Sequence, residues 1–295
     1  MKPTVSSALR YLLYPLLLAT TLLVIHWAVR EQWDLKRTLW GYLGSLLLVL
    51  ILIERLAPLS PAWGMTRGSF LRDLKYLVSS GVTIAVVRGL FGMLALWLGA
   101  RHQGLLAQTS VVQSVVIFFL VFEFFQYWFH RLSHSGRGAI GRFLWKVHLA
   151  HHLPDRVYVV MHGVFHPINA LISALLLQSC MLLLGLSPQA VFAAMVIIDL
   201  QTMISHFNVD VRAGWFNYVF IGTELHRYHH SQNIDEAKNF GTVIPLWDLV
   251  FGTFLYQPKK PPERLGLDGV DTYPSSQKFF SVLALPFRRS LPERG

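Results

Sequence analysis

Long apolar runs alternate with short polar intervals along the chain, and their lengths predict the elements. Residues 11–29 are apolar almost throughout, enough for a helix to cross the ~30 Å hydrocarbon layer of a bilayer. The run is longer than a signal-peptide core and lacks a small-x-small cleavage site before Arg30, so it reads as a span. Residues 39–53 form a second span, 77–99 a third, and 105–129 a fourth. Residues 168–186 and 189–205 form an apolar pair split by Ser187-Pro188, which predicts a helical hairpin entering and leaving on one side. The interval 54–75 is polar, with Pro58, Pro61 and Gly64, and reads as a loop with an interfacial piece. Arg88 interrupts the third span, where a charge must face protein, snorkel or pair.

Composition supports spans over a water-soluble core. The chain is 53% hydrophobic and 14% charged, against about 25% charged in soluble domains. A net charge of +10 would suit nucleic acid, but the basic residues are scattered and flank apolar runs, which fits attraction to a membrane surface instead. The lone cysteine, Cys180, excludes an internal disulfide and any cysteine-based metal or iron–sulfur site. Of the 26 Lys and Arg residues, twenty-one fall on the side where the polar segments after the fourth and sixth spans meet. Arg30, Lys36, Arg37 and Arg101 fall opposite, so that side is cytoplasmic by the positive-inside rule. The expected fold is an all-α integral membrane protein of about six transmembrane helices with a cytoplasmic, helical, histidine-rich cap.

The cap carries the chemistry. Eleven of the thirteen histidines lie between residues 130 and 230. His130 and His134 are four apart; His148, His151 and His152 are spaced i, i+3, i+4, and His226, His229 and His230 repeat that spacing. On a helix each set shares one face. Crowded imidazoles repel when protonated and are costly to bury unpaired, whereas a divalent metal takes them as neutral ligands. Eight are too many for one ion, which implies two. Upstream, Glu123, Gln126, His130 and His134 form one polar stripe on an otherwise aromatic span. Glu123 is therefore a carboxylate ligand or, preferably, an acceptor for a histidine N–H.

The motifs His130-Arg131-Leu132-Ser133-His134, His148-Leu149-Ala150-His151-His152 and His226-Arg227-Tyr228-His229-His230, the last following a membrane hairpin, resemble the fatty acid hydroxylase/sterol desaturase family of membrane di-iron enzymes. His206-Phe207-Asn208 is similar to the family's His-x-Asn. Asn239-Phe240-Gly241, Leu246-Trp247-Asp248 and Phe251-Gly252-Thr253-Phe254 are similar to its C-terminal run. The resemblance covers roughly residues 112–257. It divides the chain into an N-terminal transmembrane region (1–104), a catalytic domain (105–257) and a basic tail (258–295), whose piece 279–289 would lie on the membrane surface.

The resemblance implies an oxygen-dependent enzyme that hydroxylates or desaturates a C–H bond of a lipid (fatty acyl, sterol or ether lipid). It implies two iron ions, O2 and a separate redox donor protein. The implied ligands are His130, His134, His148, His151, His152, His226, His229 and His230, with His206 a ninth. Asn208 and Asn239 fall close by, and His166 matches a family position near the site while reading equally as a helix-start histidine. His162 has no counterpart. Thr202 stands where some members have a further histidine, and Asn169 where many have Glu. Arg137, Arg142 and Lys146 could dock an acidic donor but read more simply as solvated charges. Two rivals remain. A zinc-dependent membrane hydrolase would show His-Glu-x-x-His, absent from all three clusters. A metal transporter would carry ligands in mid-span, where the acidic residues are Glu123 and Asp199.

Overall fold

The structure, a computed structural model, describes residues 7–98, 104–258 and 260–288. Most of the basic leader (1–6), the turn at 101–103 and the end of the tail from 289 lie outside the described residues. Six helices among the described residues are long and apolar enough to span a membrane. They are α1 (Ser7–Arg30), α2 (Leu35–Leu56), α3 (Arg67–Leu98), α4 (Val111–Ser135), α6 (Pro167–Leu184) and α7 (Pro188–Ser205). The short helices α5 (Gly138–His152), α8 (Thr223–His229), α9 (Leu246–Val250) and α10 (Phe279–Leu283) build the cap. Among the described residues the only β pairing is an isolated bridge between Ser231 and Leu265. This is the all-α, six-span architecture that the apolar runs predict.

Two helix starts differ most from the sequence reading. α3 begins at Arg67, so the expected loop at 54–75 shrinks to 57–66 around a single 3-10 turn, Pro61–Trp63. The cause is burial: Arg72 and Asp73 are paired at 2.6 Å and almost fully enclosed, with Arg72 donating to the Tyr158 hydroxyl and that hydroxyl donating to Asp73. A polar segment held by the cap is helical where a solvated one would be loop. α4 starts at Val111, not 105, because Ser110 and Gln113 form a capping box there. It then runs on past both His130 and His134 before Gly136 (φ 59°) ends it.

The α6–α7 hairpin forms as expected. Pro167 and Pro188 open its helices at the position where a missing N–H costs nothing, and Gly185 (φ 68°) closes α6. A Cβ on Gly104 would lie 2.2 Å from the Gly185 Cα, so only glycines allow the chain to cross the hairpin tip. α7 is the most enclosed span and packs on α1, α2 and α4. Its C-terminus, the α4 C-terminus and the α6 N-terminus all reach the cap. Arg10 meets Asp210 at 2.9 Å, which brings the start of α1 there too. At the end of α2, the Glu54 carboxylate accepts the Val159 and Asn208 N–H groups.

The tail differs from the expected membrane-surface piece. Val282 and Leu285 are fully buried in the same hydrophobic cluster as Leu13, Leu50 and Leu149, and Phe279 meets Tyr76 of α3 edge-on. Phe280 and Phe287 point outward.

Candidate metal centre

Four elements bring the histidines together. His130 and His134 occupy the last turns of α4, and His148, His151 and His152 the end of α5. His206 caps the C-terminus of α7; His226 and His229 lie on α8, with His230 its C-cap. The ring nitrogens fall into two groups, His130, His134, His148, His152 and His229 in one, His151, His206, His226 and His230 in the other. Within each group the available ligand atoms lie within 4.8 Å of one another.

In the first group the Nε2 atoms of His130 and His148, His148 and His152, and His152 and His229 are each 3.1 Å apart. In the second, four Nε2 atoms close a ring: His151 to His206 at 3.2 Å, then His206 to His226, His226 to His230 and His230 to His151 at 3.1 Å. The opposite ring nitrogens explain why these contacts are not hydrogen bonds. Nδ1–H donates to the Phe240 carbonyl from His130 (2.7 Å) and to Val164 from His151 (3.1 Å). It donates likewise to Thr202 from His206 (3.1 Å) and to Lys238 from His229 (3.0 Å). His148 Nδ1–H donates to the Asn169 amide oxygen at 2.9 Å. A carbonyl only accepts, so the proton is on Nδ1 and Nε2 carries a bare lone pair. The pairs His130–His148 and His151–His206 thus face lone pair to lone pair, an arrangement that repels unless a cation lies between. Nitrogens bound to one ion at about 2.0–2.1 Å stand roughly 3–3.4 Å apart, which is the spacing found. The residues fit two divalent ions.

Their charge state fits as well. Burial first, and then the charge each neighbouring imidazole would carry, hold His151, His152, His226, His229 and His230 well below 6.5. Burial brings His206 down to about 3. All six are neutral at pH 7, the form that ligates metal.

The remaining singled-out residues stand one layer further out. Glu123 reaches neither a histidine nor the two groups; its carboxylate accepts the N–H of Thr242 (2.9 Å) and Val243 (3.0 Å). Asp248 accepts the N–H groups of Phe240 and Gly241, both at 2.8 Å. Asn239 adopts a left-handed conformation (φ 60°), and its amide binds the Leu225 and Leu255 carbonyls and the Leu255 N–H. Its two neighbours, Lys238 and Phe240, supply the carbonyls for His229 and His130. Asn208 sits away from the clusters and ties down Ser60. His166 caps α6 through Nδ1, which accepts the Ile168 N–H, and donates from Nε2 to the Leu283 carbonyl. It is the helix-start histidine of the two readings. His162 donates to its own turn, at Val159, and stands outside both groups. Asp248, Asn169 and the carbonyls of Val164 and Thr202 had no assigned role in the sequence reading; Asp248, within Leu246-Trp247-Asp248, and Asn169, two residues past His166-Pro167, each carried a signal.

Beneath the clusters a cavity of about 370 Å³ opens between α3, α4, α6 and α7. His130, His148, His151, His206 and His226 form its upper end, and its walls are mostly apolar. Fold and site together define a class: a helical membrane protein that gathers nine imidazoles at the upper end of an apolar cavity.

The chain belongs to the fatty acid hydroxylase family, whose model matches residues 115–253. Membership places it among the membrane-bound oxidoreductases that hydroxylate lipids. It is 31% identical over 293 residues to the ornithine lipid hydroxylase OlsE of Rhizobium tropici, covering 96% of this chain and 85% of that one. It is 27% identical over 146 residues to the alkylglycerol monooxygenase of Homo sapiens, covering 48% and 31%. A very-long-chain aldehyde decarbonylase of Oryza sativa subsp. indica is 27% identical over 148 residues, covering 49% and 53%. No solved structure matches the chain.

Proposed function

We propose that the nine histidines hold two iron ions and that the chain, supplied with O2 and with electrons from a separate donor protein, hydroxylates a membrane lipid of the ornithine-lipid type. The observation that carries this reading is the facing of Nε2 lone pairs in both groups, directly above a mostly apolar cavity. Five imidazoles would hold the first ion and four the second. Iron bound there would supply the activation of O2 and the insertion of one oxygen atom into a C–H bond.

The chain's own residues do the rest. The carbonyls of Phe240, Lys238, Val164 and Thr202, with Asn169, keep Nδ1 of His130, His229, His151, His206 and His148 protonated and aim their Nε2 inward. Asn239, Asp248 and Glu123 fix the loop that carries two of those carbonyls. The apolar walls exclude water and align the substrate. Residues 105–257 form the catalytic region, with its metal site on the cytoplasmic side by the distribution of Lys and Arg. The 31% identity to an ornithine lipid hydroxylase over nearly the full chain supports that lipid class.

Metal analysis of the purified protein, followed by turnover with ornithine lipid under isotope-labelled O2, tests the reading. Two irons per chain are expected, falling in His151→Ala and in His229→Ala, with label in the product. One zinc per chain and an unlabelled product would overturn it in favour of hydrolysis.

A further inference from the structure

The cavity is not uniformly apolar. Arg88 on α3 and Asp199 on α7 both line it, deep in the spans. Among the described residues no ion pair joins them, although each lies within the other's field. The Arg88 guanidinium reaches only the Met195 sulfur, at 4.0 Å, a weak acceptor. Asp199 lies seven residues before His206 on the same helix, so about 10 Å below the clusters. Gln126, one turn before His130, is 9% exposed, and its Oε1 is buried in the same cavity without a hydrogen-bond partner.

Charges at membrane depth are expensive and persist where they pair or serve a substrate. A plain acyl chain or a sterol ring in this cavity would leave a guanidinium, a carboxylate and an amide oxygen unanswered. An occupant with one anionic group, one ammonium and a further N–H or O–H would answer all three. Resting on the hydroxylase reading above, we propose that Arg88 and Asp199 are its specificity pair: they read a zwitterionic headgroup, Arg88 taking the anion and Asp199 the primary amine.

Two lipid sources share that chemistry. Ornithine acylated on one nitrogen keeps a carboxylate and a primary amine; an ethanolamine phospholipid carries a phosphate and a primary amine. The test measures binding to the full-length protein of ornithine lipid, its N-acetylated form, its methyl ester and phosphatidylethanolamine. The wild type is expected to bind the parent lipid roughly tenfold or more tighter than either blocked form. Asp199→Asn should lose the discrimination against the acetylated lipid alone, and Arg88→Gln that against the ester alone, with metal content unchanged in both. Tight binding of phosphatidylethanolamine that depends on both residues assigns the pair to that source; its rejection assigns it to the amino-acid lipid.

Wild-type protein that binds the blocked lipids as tightly as the parent overturns the proposal without any variant. Variants that weaken all four lipids equally overturn it too, because a merely structural pair would behave so. The expected binding pattern without hydroxylated product would keep the pair and overturn the hydroxylase reading instead.

Discussion

His148 shows how a single residue decides whether an imidazole ligates. Its Nδ1–H is held by the Asn169 amide oxygen at 2.9 Å, which leaves Nε2 between those of His130 and His152. Four other histidines receive the same treatment from backbone carbonyls, which no side-chain substitution removes; apart from the Ser205 hydroxyl, 2.9 Å from His206 Nδ1 beside the Thr202 carbonyl, Asn169 is the acceptor a mutation can delete. Asn169→Ala is expected to free His148 to change tautomer and rotate, weakening metal binding about 10–100-fold. Asn169→Asp keeps an acceptor oxygen at the same distance from Cα and is expected to retain the metal. Titration with a chelator of graded strength separates the two variants. Eight of the nine clustered histidines were legible in the sequence because their spacing repeats the helix period, and His206 through the resemblance of His206-Phe207-Asn208. The carbonyls of Val164 and Thr202 were not, because every residue has a carbonyl and only the fold selects which one meets a ring.

The segment 238–243 is the element on which the first group depends and the second does not. It presents Lys238 to His229 and Phe240 to His130, while His151 and His206 are held by Val164 and Thr202 elsewhere. Asp248 receives two N–H groups of this segment and the Thr253 hydroxyl, and Glu123 receives two more N–H groups. Gly241 fits because a Cβ there would lie 2.5 Å from the Ile244 carbonyl. Replacing Asp248 by Asn turns one acceptor into a donor that faces a backbone N–H, at a cost of about 1–3 kcal/mol. The expected outcome is selective: metal content falls from two ions toward one, lost from the first group, while spectroscopic signals of the second group persist. Equal loss from both groups would show that the segment supports the whole cap instead. The sequence carried Asn239-Phe240-Gly241 and Trp247-Asp248 as separate motifs. That one holds the other could not be read, since Asp248 meets Phe240 through a turn whose geometry depends on the left-handed Asn239. The same kind of non-local contact moved the start of α3: Arg72 and Asp73 look like loop residues until Tyr158, some eighty-five positions away, is placed against them.

At the scale of the molecule, the cap concentrates neutral histidines in a buried volume, and this sets how stability depends on pH. His151, His152, His226, His229 and His230 are held well below 6.5 by burial, and His206 at about 3. In the unfolded chain each titrates near 6.5, so below that pH the unfolded state binds more protons and gains. Above 6.5 the two states bind alike and these groups add no pH dependence. Stability conferred by the neutral cap is therefore complete above 6.5 and is lost as pH falls toward the folded values. Each histidine contributes a slope of up to about 1.4 kcal/mol per pH unit. Asp248 works the other way, since burial raises it to about 6 and the folded state then takes its proton first between about 6 and 3.8. Asp248 alone does not offset the six imidazoles. Bound metal raises the whole profile without changing this slope until pH approaches the folded values, because only there do protons compete with the ions for the same Nε2 lone pairs. Thermal unfolding of the metal-free and metal-loaded protein between pH 8 and 5 should show a plateau above 6.5 in both. Below it the midpoint should drop with the same slope in both, the loaded form standing higher throughout. A flat profile through that range would mean that the cap histidines are not buried neutral, and would remove the electrostatic basis for placing two cations among them.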